Sequence, residues 1–482
     1  MNSQPNNSQN KYPLLLAAFF VLLVAGCADN AYQKPNFIII FTDDQGYNDL
    51  GCYGSPDIKT PNIDQMAVEG MKLTSFYAQT VCGPSRAALM TGCYPMRSAR
   101  NDNGVAPHPK LSLTEVTIAE VLKQAGYVTG MIGKWDLAGH NPEKFSADLL
   151  PADQGFDYSF FTPSSNDSRV HLIRNKTLVE MHADMSTLTR RYTDEALQFI
   201  ERNQKQPFFL YLAHTMPHTK LAVSDEFKGK SKRGLYGDVI EELDFQVGRI
   251  LDLLNEKTLD KNTYVIFMSD NGPWWIKKEH AGSAFPLRGA KTSAWEGGFR
   301  VPAIVWRPDR VPAGEQSDQV VATIDWLPTI AHLAGVSAPS DRVIDGVDIA
   351  DIIHGKSEKL DRTFFYYQHQ ELRAVRKGKW KLHLPHQPEG KSIAYTKWPR
   401  HIAPEDRVMF DSYMLYDLEQ DIGETTNVAV ANPEVVAELS VHLEWARKDI
   451  GDVGERGENA HPFGDEPYFT PNKIIKTDNT DK

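Results

Sequence analysis

Short apolar runs, each followed directly by polar residues, recur along the first part of the chain. The first run, residues 36–41, reads Asn-Phe-Ile-Ile-Ile-Phe and has the length and the β-branched content of a buried strand. Runs of the same kind occupy residues 126–132, 207–213 and 263–268. We therefore predict four strands, each of which ends in side chains that are capable of chemistry.

Amphipathic stretches at residues 113–125, 187–203 and 237–254 lie between the runs and predict helices. Alternating strands and helices are typical of an α/β fold with a large, mostly parallel sheet between layers of helices. Because ligands bind at the carboxyl ends of the strands in such sheets, we expect the polar residues after the four runs to meet in one site. These residues are Asp43, Asp44, Lys134, Asp136, His214, His218, Asp270 and Asn271.

The pattern changes after about residue 355, where the apolar runs become shorter and are separated by tight turns. They lie at residues 364–367, 372–376, 379–384 and 415–418. Such close spacing indicates antiparallel pairing, and residues 434–448 then predict one amphipathic helix. We therefore predict a catalytic domain over residues 28–358 and a smaller C-terminal α+β subdomain with a short antiparallel sheet and a polar tail over residues 359–482.

Composition narrows the class of protein. The chain has 482 residues, of which 41% are hydrophobic and 24% charged, as in a globular protein with a large core. The formal net charge of −11 disfavours nonspecific binding to nucleic acid. A polyanionic substrate therefore requires a locally basic site.

An apolar run at residues 14–25 is too short for a comfortable membrane span and fits a signal peptide. Residues 23–27, Leu-Val-Ala-Gly-Cys, resemble a bacterial lipobox, so Cys27 would become the lipidated first residue of the mature chain. The alternatives are an ordinary signal peptide and an uncleaved anchor. We expect an exported protein, periplasmic or anchored to the outer membrane, that touches the membrane only through its lipid.

The chain has four cysteines, too few for a disulfide framework and without zinc-site spacing. Cys52 and Cys93 could pair in an oxidising periplasm, or remain two separate thiols in the core. Cys82 stands apart, because Cys82-Gly83-Pro84-Ser85-Arg86 precedes a helix-like apolar run. A helix start favours an anion, so this stretch predicts a nucleophile precursor beside an anion pocket.

The sequence from Cys82 to Arg86 resembles the C-x-P-S-R signature of the type I, formylglycine-dependent sulfatases. Other segments resemble blocks of that family in the same order, at residues 43–46, 60–64, 92–95, 133–135, 217–218, 269–272 and 287–291. The resemblance implies an alkaline-phosphatase-like sandwich with a smaller C-terminal sheet domain, and a sulfuric ester hydrolase.

The resemblance also implies a covalent mechanism. A formylglycine-generating maturation enzyme would oxidise Cys82, and the hydrated aldehyde would take up and then release the sulfate group. A cation, Ca²⁺ or alternatively Mg²⁺, would be held by oxygen ligands together with the modified Cys82. Those oxygen ligands are Asp43, Asp44, Asp270 and Asn271.

By the same resemblance, Lys134 and Lys291 would bind sulfate oxygens, and Arg86 would hold the surroundings of the nucleophile. His218 would contact the sulfate and protonate the leaving oxygen, whereas we expect His214 to be structural. Many relatives carry a histidine two residues after the lysine, where this chain has Asp136. Either Asp136 accepts the proton in the release step, or the next histidine, His140, does.

The substrate is less defined by the sequence. By family analogy we expect a sulfated poly- or oligosaccharide, such as an algal galactan of the carrageenan type. Trp274, Trp275, Lys277 and Lys278 could line the mouth of the pocket, or be core indoles and solvated lysines. The alternatives are a phosphodiesterase or phosphonate monoester hydrolase of the same superfamily, and a non-catalytic glycan-binding lipoprotein.

Overall fold

The computed structural model describes residues 1–3, 34–100, 110–141, 145–167, 169–356, 359–386, 410–462 and 476–477. The chain forms two compact units, Met1–Lys34 and Pro35–Lys482, and the helices and strands named below, all from the described residues, lie in the second. The predicted lipobox cysteine, Cys27, lies outside the described residues. No helix of the part described combines the length and the apolar character that a membrane crossing requires.

The strands follow one another along the second unit. In chain order they are β1 (Asn36–Thr42), β2 (Met71–Leu73), β3 (Phe76–Tyr77), β4 (Ala99–Arg100), β5 (Lys110–Leu111), β6 (Val128–Lys134), β7 (Tyr158–Thr162), β8 (Leu172–Arg174), β9 (Thr177–Glu180), β10 (Phe208–Ala213), β11 (Thr263–Ser269), β12 (Ala303–Trp306), β13 (Glu315–Ser317), β14 (Val321–Ala322), β15 (Thr363–Gln368), β16 (Glu371–Lys377), β17 (Trp380–His383), β18 (Met414–Asp417), β19 (Gly451–Asp452), β20 (Glu455–Arg456) and β21 (Lys476–Thr477).

The large sheet has 11 strands in the order β13-β2-β12-β11-β1-β10-β6-β7-β8-β9-β21. Its centre, β11-β1-β10-β6-β7, is parallel throughout, whereas β12 on one side and β8 on the other run antiparallel to their central neighbours. The predicted mostly parallel sheet is confirmed. The four predicted strands are neighbours, because β11, β1, β10 and β6 are adjacent in that order.

The α-helices cover both faces of the sheet. They are α1 (Pro61–Glu69), α2 (Cys82–Thr91), α3 (Pro95–Ser98), α4 (Ile118–Gln124), α5 (Leu188–Asn203), α6 (Leu235–Glu256), α7 (Glu296–Phe299), α8 (Trp326–Leu333), α9 (Ala350–Ile353) and α10 (Pro433–Asp449). Alternate residues of β1 separate the two layers. Ile39 packs in the cluster that contains α2, α4 and α8, whereas Ile40 packs in the one that contains α1, α5 and α6.

One predicted helix began too early. The prediction placed a helix over residues 113–125, but α4 begins at Ile118. The hydroxyl of Thr117 accepts the backbone N–H of Glu120 at 3.2 Å, and the Glu120 carboxylate accepts the N–H of Thr117 at 2.8 Å. This capping box fixes the first turn of the helix.

The C-terminal region forms a second sheet of four antiparallel strands, β15-β16-β17-β18, as predicted. Leu439 and Leu443 of α10 belong to the same hydrophobic cluster as these strands. That cluster extends to Phe299 of α7, whose ring lies 4.9 Å from the ring of Tyr366 in β15. The small sheet therefore packs against the segment that follows the Lys291 block.

The question of a disulfide is settled for the described cysteines. Cys52 and Cys93 are both free thiols, and Cys93 is completely buried. Of the two possibilities that the sequence left open, the structure has two separate thiols.

Candidate active site

The carboxyl ends of the central strands bring distant residues together. Thr42 at the end of β1 is paired with Ser269 at the end of β11, so Asp43 and Asp270, the next residues, emerge side by side. Lys134 ends β6, two strands away on the other side of β1. All three charged side chains are fully buried.

The residue before Lys134 allows the strands to approach closely. Gly133 has φ +104°, and a Cβ atom there would lie 1.8 Å from the carbonyl oxygen of Ala213 in β10. A larger residue would therefore displace β6 from β10. The position of the Lys134 ammonium depends on this contact.

Helix α2 begins at Cys82 and is fixed to the end of β11. The hydroxyl of Ser85 accepts the backbone N–H of Gln79 at 2.7 Å and donates to the carbonyl oxygen of Asp270. The thiol of Cys82 lies 3.1 Å from the ammonium of Lys291. Burial, followed by the nearby Asp43 carboxylate, raises the pKa of the Cys82 thiol well above its ordinary value. Cys82 is therefore a neutral thiol here, not a thiolate nucleophile.

Arg86, one turn into α2, connects three of the strand ends. Its guanidinium is 2.7 Å from Oδ2 of Asp270 and 3.8 Å from Oδ1 of Asp43, and it donates to the carbonyl oxygen of Lys134 at 3.1 Å. It also donates to the hydroxyl of Tyr211 in β10 at 3.3 Å. Because the guanidinium is completely buried, these contacts fix the strand ends relative to α2.

Two lysine ammonium groups face the adjacent aspartates. Lys134 Nζ lies 2.7 Å from Oδ2 of Asp43, and Lys291 Nζ lies 2.5 Å from Oδ1 of Asp44. Burial opposes the charge of each lysine, but the carboxylates outweigh it and raise the pKa of both. The loop that carries Lys291 is fixed through its backbone N–H, which donates to the carbonyl oxygen of Pro273 at 3.0 Å.

The same aspartates carry oxygens that are suited to a cation. Oδ1 of Asp43, Oδ2 of Asp44 and Oδ1 of Asn271 are buried and accept no hydrogen bond within the part of the chain described. Ligand atoms of Asp43, Asp44, Cys82 and His218 lie within 4.8 Å of one another. Because buried oxygens normally have a hydrogen-bond partner, three unmatched oxygens at neighbouring strand ends fit a hard cation such as Ca²⁺ or Mg²⁺.

Asp270 differs from the other predicted ligands. Its Oδ1 accepts the backbone N–H of Asp44 at 3.1 Å, and its Oδ2 accepts from Arg86. Both carboxylate oxygens are thus already engaged in positioning β1 and α2. A role of Asp270 as a metal ligand stays a prediction.

His218 lies on the opposite side of the site, held by a loop that the sequence reasoning missed. Its Nε2 is 3.6 Å from Oδ2 of Asp44. Its Nδ1 is 3.0 Å from Oδ1 of Asn166, 3.2 Å from the hydroxyl of Ser165 and 3.1 Å from Oδ1 of Asp167. This loop follows β7, the next parallel strand along the same edge, which is the signal that could have found it.

Asp136 and His140 form a pair. Oδ1 of Asp136 lies 2.6 Å from Nδ1 of His140, and its Oδ2 lies 3.6 Å from the ammonium of Lys134. The other imidazole nitrogen of His140 is 3.2 Å from Oδ2 of Asp167. Burial disfavours the charged imidazole, but the carboxylates of Asp136 and Asp167 raise the pKa of His140 to about 9.

His214, the other histidine of the β10 end, has the surroundings of a core residue. It is buried, and neither ring nitrogen makes a hydrogen bond within the described ranges. Burial lowers its pKa to about 3. Its ring lies 6.3 Å from that of Tyr192.

Comparison with known families agrees with this arrangement. The family model described as Sulfatase matches residues 35–336, and the model described as the C-terminal region of aryl-sulfatase matches residues 359–462. The chain belongs to the sulfatase family. It is thus a hydrolase of sulfate esters within the arylsulfatase-like branch of the alkaline phosphatase superfamily.

Named relatives and solved structures support the same family. The chain is 41% identical to the N-acetylgalactosamine-6-sulfatase of Canis lupus familiaris over 395 residues, covering 76% of this chain and 74% of the relative. A Bacteroides thetaiotaomicron protein labelled 6S-sulf, from work on the metabolism of multiple glycosaminoglycans, superposes with a TM-score of 0.76 at 29% identity, covering 86% of this chain and 99% of its own. Ps i-CgsB in complex with k-i-k-neocarrahexaose gives a TM-score of 0.73 at 29% identity, covering 88% and 95% of the two chains.

The structure of this sulfatase places every predicted site residue in one connected cluster. They are Asp43, Asp44, Cys82, Arg86, Lys134, Asp136, His218, Asp270, Asn271 and Lys291, and each is buried. Their separate roles stay predictions.

A cavity of about 480 Å³ opens beside this cluster. Of the four residues predicted at the pocket mouth, Trp274 and Lys277 line the cavity, whereas Trp275 and Lys278 do not. The Trp274 ring lies 5.4 Å from the His218 ring. Trp274 therefore contacts both the cavity and the catalytic cluster.

Proposed function

We propose that this sulfatase removes sulfate from a sulfated poly- or oligosaccharide, with Cys82 converted to formylglycine by a maturation enzyme. The arrangement around Cys82 carries the proposal. A neutral thiol stands at a helix start, facing the Lys291 ammonium at 3.1 Å and a group of buried oxygens that fit a cation. Such surroundings suit an oxygen nucleophile and a tetrahedral anion better than a thiolate.

The class of substrate is supported by the named relatives. One acts, by its name, on N-acetylgalactosamine 6-sulfate, and Ps i-CgsB was solved with a neocarrahexaose. A saccharide is therefore the substrate class that we favour, and an algal galactan such as a carrageenan is one member of it. The chain's departure at Asp136 does not remove the catalytic cluster, since the other predicted residues are all present.

Two cofactors complete the site. Conversion of Cys82 to formylglycine would place two hydroxyls of the hydrated aldehyde at this position, one to take over the sulfate group and one to allow its release. Asp43, Asp44 and Asn271 would hold the cation, for which we propose Ca²⁺ with Mg²⁺ as the alternative. When bound, the cation polarises the sulfate ester.

The lysines and His218 bind the sulfate group. Lys134 and Lys291 stay protonated because Asp43 and Asp44 raise their pKa values, so their ammonium groups neutralise charge on the sulfate oxygens. The Nδ1 atom of His218 is held by the loop after β7, which directs Nε2 towards the site. Because burial lowers the pKa of His218 and Nδ1 faces the acceptor oxygens of Asn166 and Asp167, His218 would have to take up a second proton at Nε2 before it protonates the leaving alcohol oxygen.

Asp136 is the base that we propose for the release of sulfate. Its carboxylate is buried between the ammonium of Lys134 and the imidazole of His140. His140 holds the carboxylate in place through Nδ1, while Asp167 fixes the other side of the imidazole. Asp136 and His140 thus act as one unit, in which the Asp136 carboxylate accepts the proton and His140 positions that carboxylate.

Two assays test this function. Purified enzyme, produced with a maturation enzyme, is given sulfated oligosaccharides, aryl sulfate and a phosphate diester, each also with Cys82→Ala as control. Sulfate release that requires Cys82 is expected, and preferential phosphodiester hydrolysis would contradict the proposal. Mass spectrometry of the tryptic peptide that contains Cys82 should show loss of one sulfur and two hydrogens with gain of one oxygen. An unchanged thiol in active enzyme would overturn the formylglycine assignment.

We also propose that the protein is an exported lipoprotein, periplasmic or anchored to the outer membrane through Cys27. The lipobox-like sequence at residues 23–27 supports this location. Metabolic labelling with a fatty acid should label the full-length chain in a bacterial host, and Cys27→Ala should abolish the label. Labelling that survives Cys27→Ala would contradict the proposal.

A further inference from the structure

The cavity borders the catalytic cluster, because Asp167 in its wall lies 3.1 Å from Nδ1 of His218. Its walls come from the loop after β7 and from the segments that follow His218 and Asn271; they are Asp167, Thr219, Lys220, Leu221, Trp274, Lys277 and His280. The Trp274 ring lies 5.4 Å from the His218 ring and 4.9 Å from Lys291 Nζ, so a saccharide whose sulfate reaches both residues is expected to contact Trp274 as well. The charges of the side chains that line the cavity should therefore affect which saccharides the enzyme binds.

Two lysines of the cavity, Lys220 and Lys277, form no ion pair with any described carboxylate. Within the described ranges, no carboxylate lies within 4.0 Å of the ammonium groups of Lys220 and Lys277. Lys277 Nζ instead lies 4.0 Å from the centre of the Trp274 ring. An ammonium over an indole face is held in position while it stays free to bind an anion.

The acidic residue of the lining does not cancel these charges. Asp167 directs one carboxylate oxygen to His140 at 3.2 Å and the other to His218 at 3.1 Å. Burial would raise its pKa, but the two histidines hold the pKa well below its usual range. Asp167 is therefore occupied by the histidines, and the lysines remain in excess on the cavity wall.

Lys277 and the catalytic site share one indole ring. Lys291 Nζ, the proposed sulfate ligand, lies 4.9 Å from the centre of the Trp274 ring, and Lys277 Nζ lies 4.0 Å from the same centre. Two ammonium groups against one ring are separated by no more than the span of a disaccharide. The chain as a whole has a net charge of −11, so this local excess of positive charge contrasts with the rest of the protein.

We propose that Lys220 and Lys277 form a subsite for a second anionic group of the substrate, either a uronic acid carboxylate or a further sulfate, on the sugar that carries the scissile sulfate or on its neighbour. This inference rests on the proposed saccharide sulfatase function and narrows its substrate class. A saccharide with a single charge would leave the subsite unused, and the enzyme would bind it more weakly.

Binding to the inactive full-length Cys82→Ala variant tests the subsite without turnover. Titration calorimetry compares N-acetylgalactosamine 6-sulfate with two dianions: N-acetylgalactosamine 4,6-disulfate and a uronate-linked disaccharide of the 6-sulfate. We expect one dianion to bind about three- to tenfold more tightly than the monoanion at low salt, with a preference that falls as salt rises. Which dianion is preferred identifies the second group as sulfate or carboxylate.

Substitutions connect the preference to the two lysines. Lys220→Gln with Lys277→Gln should remove it, whereas Lys278→Gln, on an exposed neighbour outside the cavity, should leave it intact. The subsite is overturned if neither dianion binds more tightly than the monoanion. It is also overturned if the preference for a dianion survives the double substitution. Sulfate release by the wild-type enzyme from the monosulfated sugar would then leave the proposed function standing. Cleavage of aryl sulfate alone, with no saccharide desulfated, would instead contradict the proposed function.

Discussion

Oδ1 of Asp136 lies 2.6 Å from Nδ1 of His140, and the two residues form one side of the catalytic cluster. Asp136 adopts φ +58°, a left-handed conformation that aspartate tolerates better than most residues. This conformation and the four-residue spacing bring the carboxylate and the imidazole together. The two alternatives that the sequence left open for the proton acceptor are therefore parts of one pair.

Loss of the Asp136 carboxylate should impair turnover severely. Asp136→Asn keeps the size of the side chain but removes its ability to accept a proton. Because a positioned base contributes about 10²- to 10⁴-fold, we expect kcat for sulfate release to fall within that range. Asp341→Asn, on an exposed residue, is the control. Near wild-type turnover in Asp136→Asn would remove Asp136 from the mechanism.

His140 should make stability depend on pH. The carboxylates of Asp136 and Asp167 raise its pKa to about 9, against burial and the ammonium of Lys134. A pKa raised in the folded state stabilises the protein fully below the unfolded value of about 6.5, and the stabilisation is lost as pH rises through about 9. We therefore expect the wild-type free energy of unfolding to fall over this range by more than that of His140→Gln, by a few kcal/mol at most.

Urea unfolding at intervals from pH 6 to pH 10 measures this difference. His332→Gln is the control, because that histidine is paired with a single aspartate at the surface. Parallel pH profiles for the wild type and His140→Gln would contradict a charged His140 in the folded protein.

The convergence of the strand ends could be predicted because the four apolar runs are continuous, have the length of a strand and are followed at once by polar residues. Parallel pairing then brings Asp43, Lys134 and Asp270 to the same edge without further information. The position of Lys291 has a different origin. It lies in a loop, and only the resemblance to a family block brought it into the predicted site; its backbone contact with Pro273 becomes visible in the structure alone.

The loop after β7 shows what sequence patterns do not contain. Ser165, Asn166 and Asp167 surround Nδ1 of His218. Isolated small polar residues usually indicate a turn, and β7 has only five residues. Their role depends on β7 being the next parallel neighbour of β6, and this pairing is visible only in the tertiary structure. The predicted start of α4 was wrong for a local reason, because the capping box at Thr117 fixes the first turn although the hydrophobic pattern begins earlier.

A cation should stabilise the folded protein through the unmatched oxygens of Asp43, Asp44 and Asn271. Because binding to the folded state alone contributes about 2.7 kcal/mol at a concentration 100-fold above Kd, saturating Ca²⁺ should raise the melting temperature of chelator-treated protein. Asn271→Ala should weaken this shift, and Asn432→Ala, far from the site in sequence, should not. Calorimetric scans with Ca²⁺ and Mg²⁺ compare the two ions. An unchanged melting temperature with both would contradict the metal site.

The ion pair between Arg86 and Asp270 should stabilise the fold as well as the site. Both side chains are fully buried, 2.7 Å apart, and burial together with the Asp43 carboxylate raises the pKa of Asp270 to about 7 even with Arg86 present, so Arg86→Met leaves a buried carboxyl group without the partner that favours its charged form. We expect a loss of about 3–5 kcal/mol in the free energy of unfolding, because a buried charge without a partner is costly. Arg174→Met removes a half-exposed pair with Glu195 and should cost less than about 1 kcal/mol. In Arg86→Met with Asp270→Asn, part of the loss should be recovered, since the uncompensated charge is gone. Urea unfolding of the wild type, Arg86→Met, Asp270→Asn and the double variant measures the coupling, and additive losses would show that the pair acts as two independent residues.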